Sequence, residues 1–251
     1  MKEKYPVLPE AEPFYFEGSR AGILVSHGFT GTTQSMRPLG EAYAKAGYTV
    51  CGPRLKGHGT HYEDMEQTTY EDWIDSVEEG YQWLKERCDI IFVTGLSMGG
   101  TLTLYMAETY PDIQGIVPIN AAIDIPVMAD GAAHRAELPR YLDAIGSDIK
   151  NPEVKELAYE KTPVASLLQI VKLMEKVRAD LHKITCPALI FVSEEDHVVP
   201  PDNSRLILEK ISSAEKELVS LKNSYHVATL DYDQPTIIDL SLRFFAAHAN
   251  K

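Results

Sequence analysis

The stretch Ile90-Ile91-Phe92-Val93-Thr94-Gly95-Leu96-Ser97-Met98-Gly99-Gly100 decides the fold of this chain. Its first four residues form a short apolar run that is typical of a buried strand. Gly-x-Ser-x-Gly follows at Gly95, Ser97 and Gly99, and residues 101–108 have the pattern of a buried helix. A strand, a sharp turn and a helix in this order are the context of a nucleophile elbow. We therefore predict that Ser97 is a catalytic nucleophile.

The same turn predicts where a developing negative charge would be stabilised. The Met98 amide would lie at a helix N-terminus, where it faces such a charge. A second amide is expected from the loop after the strand at residues 21–26, which reads His27-Gly28-Phe29. We predict that the Phe29 amide completes this oxyanion hole and that His27 holds the shape of the loop.

Strand and helix patterns alternate on both sides of the elbow. A helix at 36–46 joins strands at 21–26 and 48–51, which is a parallel βαβ unit. Further strands are predicted at 14–16 (an edge strand), 115–119, 187–192 and 217–221, and further helices at 70–85, 203–211 and 236–249. The predicted fold class is α/β, with a mostly parallel central sheet flanked by helices.

The alternation stops between residues 124 and 183. No convincing strand is predicted there, only helix-like segments around 138–145, 153–160 and 163–183. Insertions in open parallel sheets lie at the carboxyl ends of the strands, above the site. We therefore predict a core formed by residues 1–123 and 184–251, with residues 124–183 inserted as a helical cap.

A serine nucleophile needs a general base, and the base needs an acid that fixes its tautomer. In a fold that carries its nucleophile on a nucleophile elbow, the triad residues follow along the chain in the order Ser, acid, His. His226 follows the strand at 217–221 through a short loop and is predicted as the base, whereas His248 is expected on the surface. Asp196 follows the strand at 187–192 and is predicted as the acid. Its neighbours are expected to be solvated or uninvolved: Glu194, Glu195 and His197.

Composition and charge exclude several other classes of function. A net charge of −13 argues against binding to nucleic acid or to anionic membrane surfaces. Three widely spaced cysteines favour a reducing, cytoplasmic location, and we expect neither a signal peptide nor a membrane span. His58 and His61 have no acidic or Cys partner at ligand spacing, so we predict no metal site and no cofactor.

Five short stretches are shared with a known group of proteins: 27–31 (HGFTG), 57–60 (GHGT), 95–100 (GLSMGG), 195–200 (EDHVVP) and 224–227 (SYHV). In these stretches the chain resembles the α/β-hydrolase superfamily, and more closely its bacterial monoacylglycerol lipases and carboxylesterases. The resemblance implies a Ser97-Asp196-His226 triad, an oxyanion hole at the Phe29 and Met98 amides, and no cofactor. It also implies a small lipid ester as substrate.

The substrate depends on the cap, where residues 155–163 also resemble the monoacylglycerol lipases. The two free hydroxyls of a monoacylglycerol need hydrogen-bond acceptors once the cap covers them. The candidates are Asn120, Asp124, Glu156 and Glu160, and the resemblance selects Glu156. An apolar stripe on the last cap helix would line the path of the acyl chain: Leu167, Val171 and Met174.

The sequence is also compatible with two alternative functions. The first keeps the chemistry and changes the substrate, making the chain a general short-chain carboxylesterase. The second is a binding protein on a hydrolase fold, which retains the triad without rapid turnover. The oligomeric state is not predicted.

Overall fold

The computed structural model describes residues 2–249 of the chain. Its strands are β1 (Phe14–Phe16), β2 (Ala21–Ser26), β3 (Thr49–Gly52), β4 (Ile90–Leu96), β5 (Gly115–Ile119), β6 (Tyr141–Asp143), β7 (Lys161–Pro163), β8 (Ala188–Ser193) and β9 (Lys216–Leu221). Its α-helices are α1 (Arg37–Lys45), α2 (Tyr62–Met65), α3 (Tyr70–Lys85), α4 (Met98–Thr109), α5 (Pro126–Ala133), α6 (Val164–Asp180), α7 (Asp202–Lys210) and α8 (Gln234–His248). None of these helices combines the length and the apolar character that crossing a bilayer requires.

The central sheet has seven strands in the order β1-β3-β2-β4-β5-β8-β9. β1 lies at the edge of the sheet, as the sequence predicts, and runs antiparallel to β3, while the remaining neighbours are parallel. The register pairs Ser26 at the end of β2 with Gly95 near the end of β4. Loops that follow parallel strands therefore converge at one edge of the sheet, which is where functional residues collect in this class of fold.

Alternating side chains of the strands supply the two faces of the core. Leu24 and Val93 belong to a cluster with residues of α3, α4 and α6 on one face. Ile23 and Phe92 belong to a second cluster with residues of α1 and α8 on the other face. Because both faces are covered, β2, β4, β5 and β8 are buried almost throughout, which explains their continuous apolar runs, whereas the edge strand β9 is mostly exposed or half-buried.

The insertion between β5 and β8 differs from the sequence prediction, because it contains two strands, β6 and β7, where none is predicted, and a helix, α5, that no predicted segment covers. The predicted helix at 138–145 is wrong, because β6 lies there and pairs antiparallel with β7. The predicted helix at 153–160 is also wrong, because that segment is extended and two of its backbone amides donate to residues of the core. The Tyr159 amide donates to the Thr30 carbonyl (3.1 Å), and the Leu157 amide donates to the Gln34 side chain (3.0 Å). The helix predicted at 163–183 is confirmed as α6.

Candidate active site

Ser97 occupies the tip of a sharp turn between β4 and α4. Its backbone has φ 59° and ψ −120°, a conformation that costs a non-glycine residue on the order of 1–3 kcal/mol. The neighbouring backbones hold it there, and the Ser97 amide donates to the Ile119 carbonyl of β5 at 2.9 Å. A Cβ atom at Gly95 would collide with the Gly99 carbonyl, and one at Gly99 would collide with the Ser26 carbonyl. The two glycines therefore allow the close approach that keeps the turn strained.

His226 and Asp196 meet although they leave different strands. Asp196 lies in the loop after β8 and His226 in the loop after β9, and the Asp196 Oδ2 lies 2.7 Å from the His226 Nδ1. Both side chains are buried, with exposed fractions of 2% for Asp196 and 7% for His226. The Val198 and Val199 amides donate to the other Asp196 oxygen at 2.9 and 2.7 Å, which fixes the carboxylate. A carboxylate can only accept, so Nδ1 carries the proton and Nε2 is left as an acceptor.

The charges around His226 outweigh the effect of its burial. Burial lowers the pKa of His226, but the Asp196 carboxylate raises it through charge and a hydrogen bond, and Glu156 and Asp148 raise it further. The net pKa of His226 is above its ordinary value. Carboxylates around the ring thus favour the imidazolium that a general base becomes when it accepts a proton.

The loop after β2 approaches Ser97 from the other side. A Cβ atom at Gly28 would lie 3.3 Å from the Cβ of Ser97, so only glycine leaves the usual clearance there. The buried His27 ring fixes this loop, because its Nδ1 lies 3.0 Å from the Gly28 carbonyl and its Nε2 accepts the Leu55 amide at 3.1 Å. Burial lowers the pKa of His27 to about 4, so the ring stays neutral. Phe29 and Met98 both line the cavity that contains Ser97.

That cavity has a volume of about 420 Å³ and lies between the sheet edge and the insertion. Ser97, His226, Glu156 and Asp148 line it. Its apolar lining comes mainly from the insertion: Ile125, Met128, Leu138, Leu142, Leu167 and Ile170. A mostly apolar pocket with a few convergent polar groups suits a small molecule that is apolar over most of its length.

Glu156 is the predicted head-group residue that the structure places beside the predicted triad. It is partly buried, and burial raises the pKa of its carboxyl group to about 7 against the opposing effects of His226 and a hydrogen bond with Ser35. One of its oxygens lies where a side chain at Gly31 would begin, so the glycine makes room for it. The extended segment at 153–160 holds Glu156 in place, because it is bonded to the core on both sides of this residue.

The other candidates for binding the head group are already occupied or exposed. Asn120 is buried and its amide is bonded to Ser193 and to the His226 carbonyl (2.8 Å). Asp124 pairs with Arg178 at 2.8 Å. Glu160 is exposed.

Two further predictions concern Glu195 beside the acid and the apolar stripe on α6. Glu195 is half exposed and pairs with Lys150 at 3.1 Å, so it does not compete with Asp196 for the histidine. Of the apolar stripe on α6, Leu167 lines the cavity, while Val171 and Met174 pack in the core.

The histidines outside the predicted triad have local structural contacts. The expectation that His248 lies on the surface is wrong, because the residue is buried and its Nδ1 lies 2.8 Å from the Phe244 carbonyl. The His61 ring accepts the Glu63 amide at 3.2 Å and so caps α2, while His58 packs against Trp73 and the ring of His27. Within residues 2–249, no three side chains of His, Cys, Asp or Glu are arranged to share a metal ion. We therefore assign none of these described residues to a metal ion.

One residue of the site carries no signal in the sequence. Asp148 lies in the insertion, outside every predicted motif, yet it lines the cavity and bonds to the loops of both His226 and His197. Only the pairing of distant segments brings it there. An exposed-looking aspartate in an irregular stretch gives no pattern by which it could be found.

Comparison with known proteins identifies the family. A family model described as serine aminopeptidase, S33, matches residues 17–233. The chain is 72% identical over 249 residues to a thermostable monoacylglycerol lipase of Bacillus sp. (strain H-257), covering 99% of this chain and 100% of that protein. It is 33% identical over 230 residues to a carboxylesterase of Bacillus subtilis (strain 168), covering 90% and 92% respectively.

A solved structure from work on the metagenome-derived lipolytic enzymes LipS and LipT has a TM-score of 0.94 at 51% identity, covering 97% of this chain and 100% of the other. A TM-score this high over nearly the whole of both chains shows that the two proteins share the same fold. The chain belongs to the serine aminopeptidase S33 family of the α/β-hydrolase superfamily and, within it, to the bacterial monoacylglycerol lipases and carboxylesterases.

Proposed function

We propose that this protein hydrolyses carboxylic esters, and that its substrates are monoacylglycerols, which it cleaves to a fatty acid and glycerol. The observation that carries the proposal is one largely apolar cavity lined by Ser97, His226 and Glu156, with Asp196 bonded to His226. An acyl chain fits the apolar lining, and an alcohol that bears hydroxyl groups fits the carboxyl group of Glu156. The name of the 72% identical Bacillus lipase supports the same substrate class.

In the proposed mechanism, Ser97 attacks the ester carbonyl while His226 Nε2 takes its proton. Asp196 holds the ring and stabilises the imidazolium. The Phe29 and Met98 amides donate to the tetrahedral oxyanion. His226 then protonates the leaving alcohol, and a water molecule activated by His226 releases the acid from the acyl-enzyme.

We further propose that residues 124–183 act as a cap over the site. The apolar side chains that the insertion contributes to the cavity support this role. A cytoplasmic location is part of the same proposal. It rests on the composition and on cysteines that form no disulfide, Cys51, Cys88 and Cys186.

Initial rates across a panel of esters test the substrate. The panel varies the alcohol (glycerol, methanol, nitrophenol) and the acyl length separately, and includes a triacylglycerol and an aminoacyl nitroanilide. We expect the highest kcat/KM on monoacylglycerols. Equal rates on short alkyl esters would favour the general carboxylesterase, and absence of turnover would favour the binding protein. Cleavage of the anilide in place of the esters would contradict ester hydrolysis.

Replacing Glu156 with alanine should lower kcat/KM on monoacylglycerols by about 10-fold or more, because a buried hydroxyl left without an acceptor costs about 1–3 kcal/mol. Nitrophenyl esters lack those hydroxyls. The measured quantity is therefore the ratio of kcat/KM for the two substrates, in which any effect of the lost charge on His226 cancels. Glu156→Gln, which keeps an acceptor oxygen, should lose less than Glu156→Ala.

Glu160→Ala is the matched control for this prediction. Glu160 lies four positions further along the same segment and is exposed, so its removal should leave the ratio unchanged. If Glu156→Ala also left the ratio unchanged, the head group would be recognised by other residues.

A further inference from the structure

The loop that carries His226 is bonded to the insertion through Asp148. The Asp148 Oδ2 accepts the His226 amide at 3.1 Å, and the Asp148 carbonyl accepts the Val227 amide at 3.0 Å. The side chain is largely buried, with 13% exposed, and it lines the cavity. The main chain of His226 is thus held by a residue 78 positions away in the sequence.

The same carboxylate reaches the loop that carries Asp196. The Asp148 Oδ2 accepts the His197 amide at 3.1 Å, and the Asp148 Oδ1 lies 2.9 Å from the His197 Nδ1. One side chain of the insertion therefore joins the two loops that bring Asp196 and His226 together. If it were removed, the partly buried His226 amide and the more exposed His197 amide would both lose their acceptor.

The residues after Asp148 continue this connection. The Lys150 amide donates to the Asp231 carboxylate at 2.6 Å, and Asp231 also accepts the Tyr225 amide at 2.9 Å. The Lys150 ammonium group pairs with Glu195 at 3.1 Å, beside Asp196. The segment at 148–151 is thus tied to both loops at several points.

We infer that Asp148 is a positioning residue, a second carboxylate supplied by the insertion that holds the loop of the catalytic histidine and adds negative charge beside its ring. The inference rests on the proposed role of His226 as the base. The insertion would then help to position the His226 ring, in addition to covering the substrate.

The pH dependence distinguishes this role from simple packing. The charged or titratable groups around His226 are Asp196 and His197 on the acid loop, and Asp148 and Glu156 on the insertion. A negative charge near the ring raises the pKa of His226. Removing the charge of Asp148 should therefore lower that pKa and move the acid limb of kcat/KM to lower pH, whereas a purely structural defect would lower the rate without moving the limb.

The test measures kcat/KM against pH on a nitrophenyl ester for the wild type and for Asp148→Asn. We expect the acid limb of the variant to move down by on the order of 0.5–1 pH unit. We also expect kcat to fall by about 10-fold, because a neutral amide oxygen is a weaker acceptor than a carboxylate for the His226 and His197 amides, and the ring is placed less accurately. Glu153→Gln removes the same charge from an exposed position of the same insertion. This variant should leave the acid limb and kcat unchanged.

Asp148→Glu provides a second variant, because it keeps the charge and alters the length of the side chain. It should return the acid limb most of the way to the wild-type position, even if kcat stays reduced. If the wild type shows an acid limb and Asp148→Asn does not move it, the inference about Asp148 is overturned, while the role of His226 stands. A wild-type profile with no acid limb would overturn both the inference and the role of His226.

Discussion

Replacing Ser97 with alanine should lower kcat on ester substrates by about 10⁶-fold. The hydroxyl is the only atom lost, and the strained turn keeps its glycines, so the loss reports the nucleophile and not the fold. The measurement is the steady-state rate on a nitrophenyl ester, with circular dichroism as the check on folding. A residual rate of about 10³–10⁴ over water is expected, because the Phe29 and Met98 amides and the cavity remain.

Covalent labelling gives an independent reading of the same prediction. A fluorophosphonate should add its mass to Ser97 in the wild type and to no residue in Ser97→Ala. Ser19→Ala is a suitable control, because Ser19 is exposed and precedes β2, at the end of the sheet away from the site. Labelling or turnover that survived in Ser97→Ala would remove this serine from the mechanism.

Replacing Asp196 with asparagine should lower kcat by roughly 10⁴-fold while leaving the fold intact. The amide can still occupy the buried site, but its NH₂ group can present a hydrogen to Nδ1 of His226, which favours the tautomer that protonates Nε2. A base protonated at Nε2 cannot accept the proton of Ser97. The expected result is a fall in kcat with little change in thermal unfolding temperature.

Glu195→Gln is the matched control for this second prediction. Glu195 is the preceding residue, carries the same charge and is half exposed in its pair with Lys150. Because surface pairs contribute only about 0–1 kcal/mol, the variant should keep nearly wild-type kcat and stability. Equal damage from Glu195→Gln and Asp196→Asn would mean that the acid has been misassigned.

The elements near the elbow could be predicted because their signals are local. The amphipathic pattern of α3 gave its bounds, Tyr70–Lys85, and the apolar runs of β4 and β5 gave theirs to within a few residues. A buried strand needs apolar side chains, and a tight turn needs glycine. Such requirements are written in consecutive residues.

The proposed triad could also be derived from order and position. In a parallel sheet, the loops that follow neighbouring strands meet at one edge, so Asp196 after β8 and His226 after β9 had to approach Ser97 after β4. The structure adds the 2.7 Å bond between Asp196 and His226 and excludes Glu195 from it. The catalytic roles themselves remain predictions for the variants above.

The insertion was predicted least well, for a physical reason. Residues 153–160 could form a helix on local propensity, but their amides bond to Thr30 and Gln34, which are far away in the sequence. Local pattern cannot show a hydrogen bond to a distant partner, and tertiary contacts override weak propensity. The same holds for β6, which exists only because β7 pairs with it.

The sequence alone therefore determined the fold class, the elbow and the residues of the proposed triad, because each depends on consecutive residues or on the order of strands. The resemblance selected Glu156, but only the tertiary structure showed that this carboxyl group and that of Asp148 both lie near the histidine. Asp148 and Glu156 lie beside it because the insertion packs back on the loops of the core, at positions set by hydrogen bonds between segments separated by many residues. Those bonds form only when the chain is folded, so no local pattern predicts them.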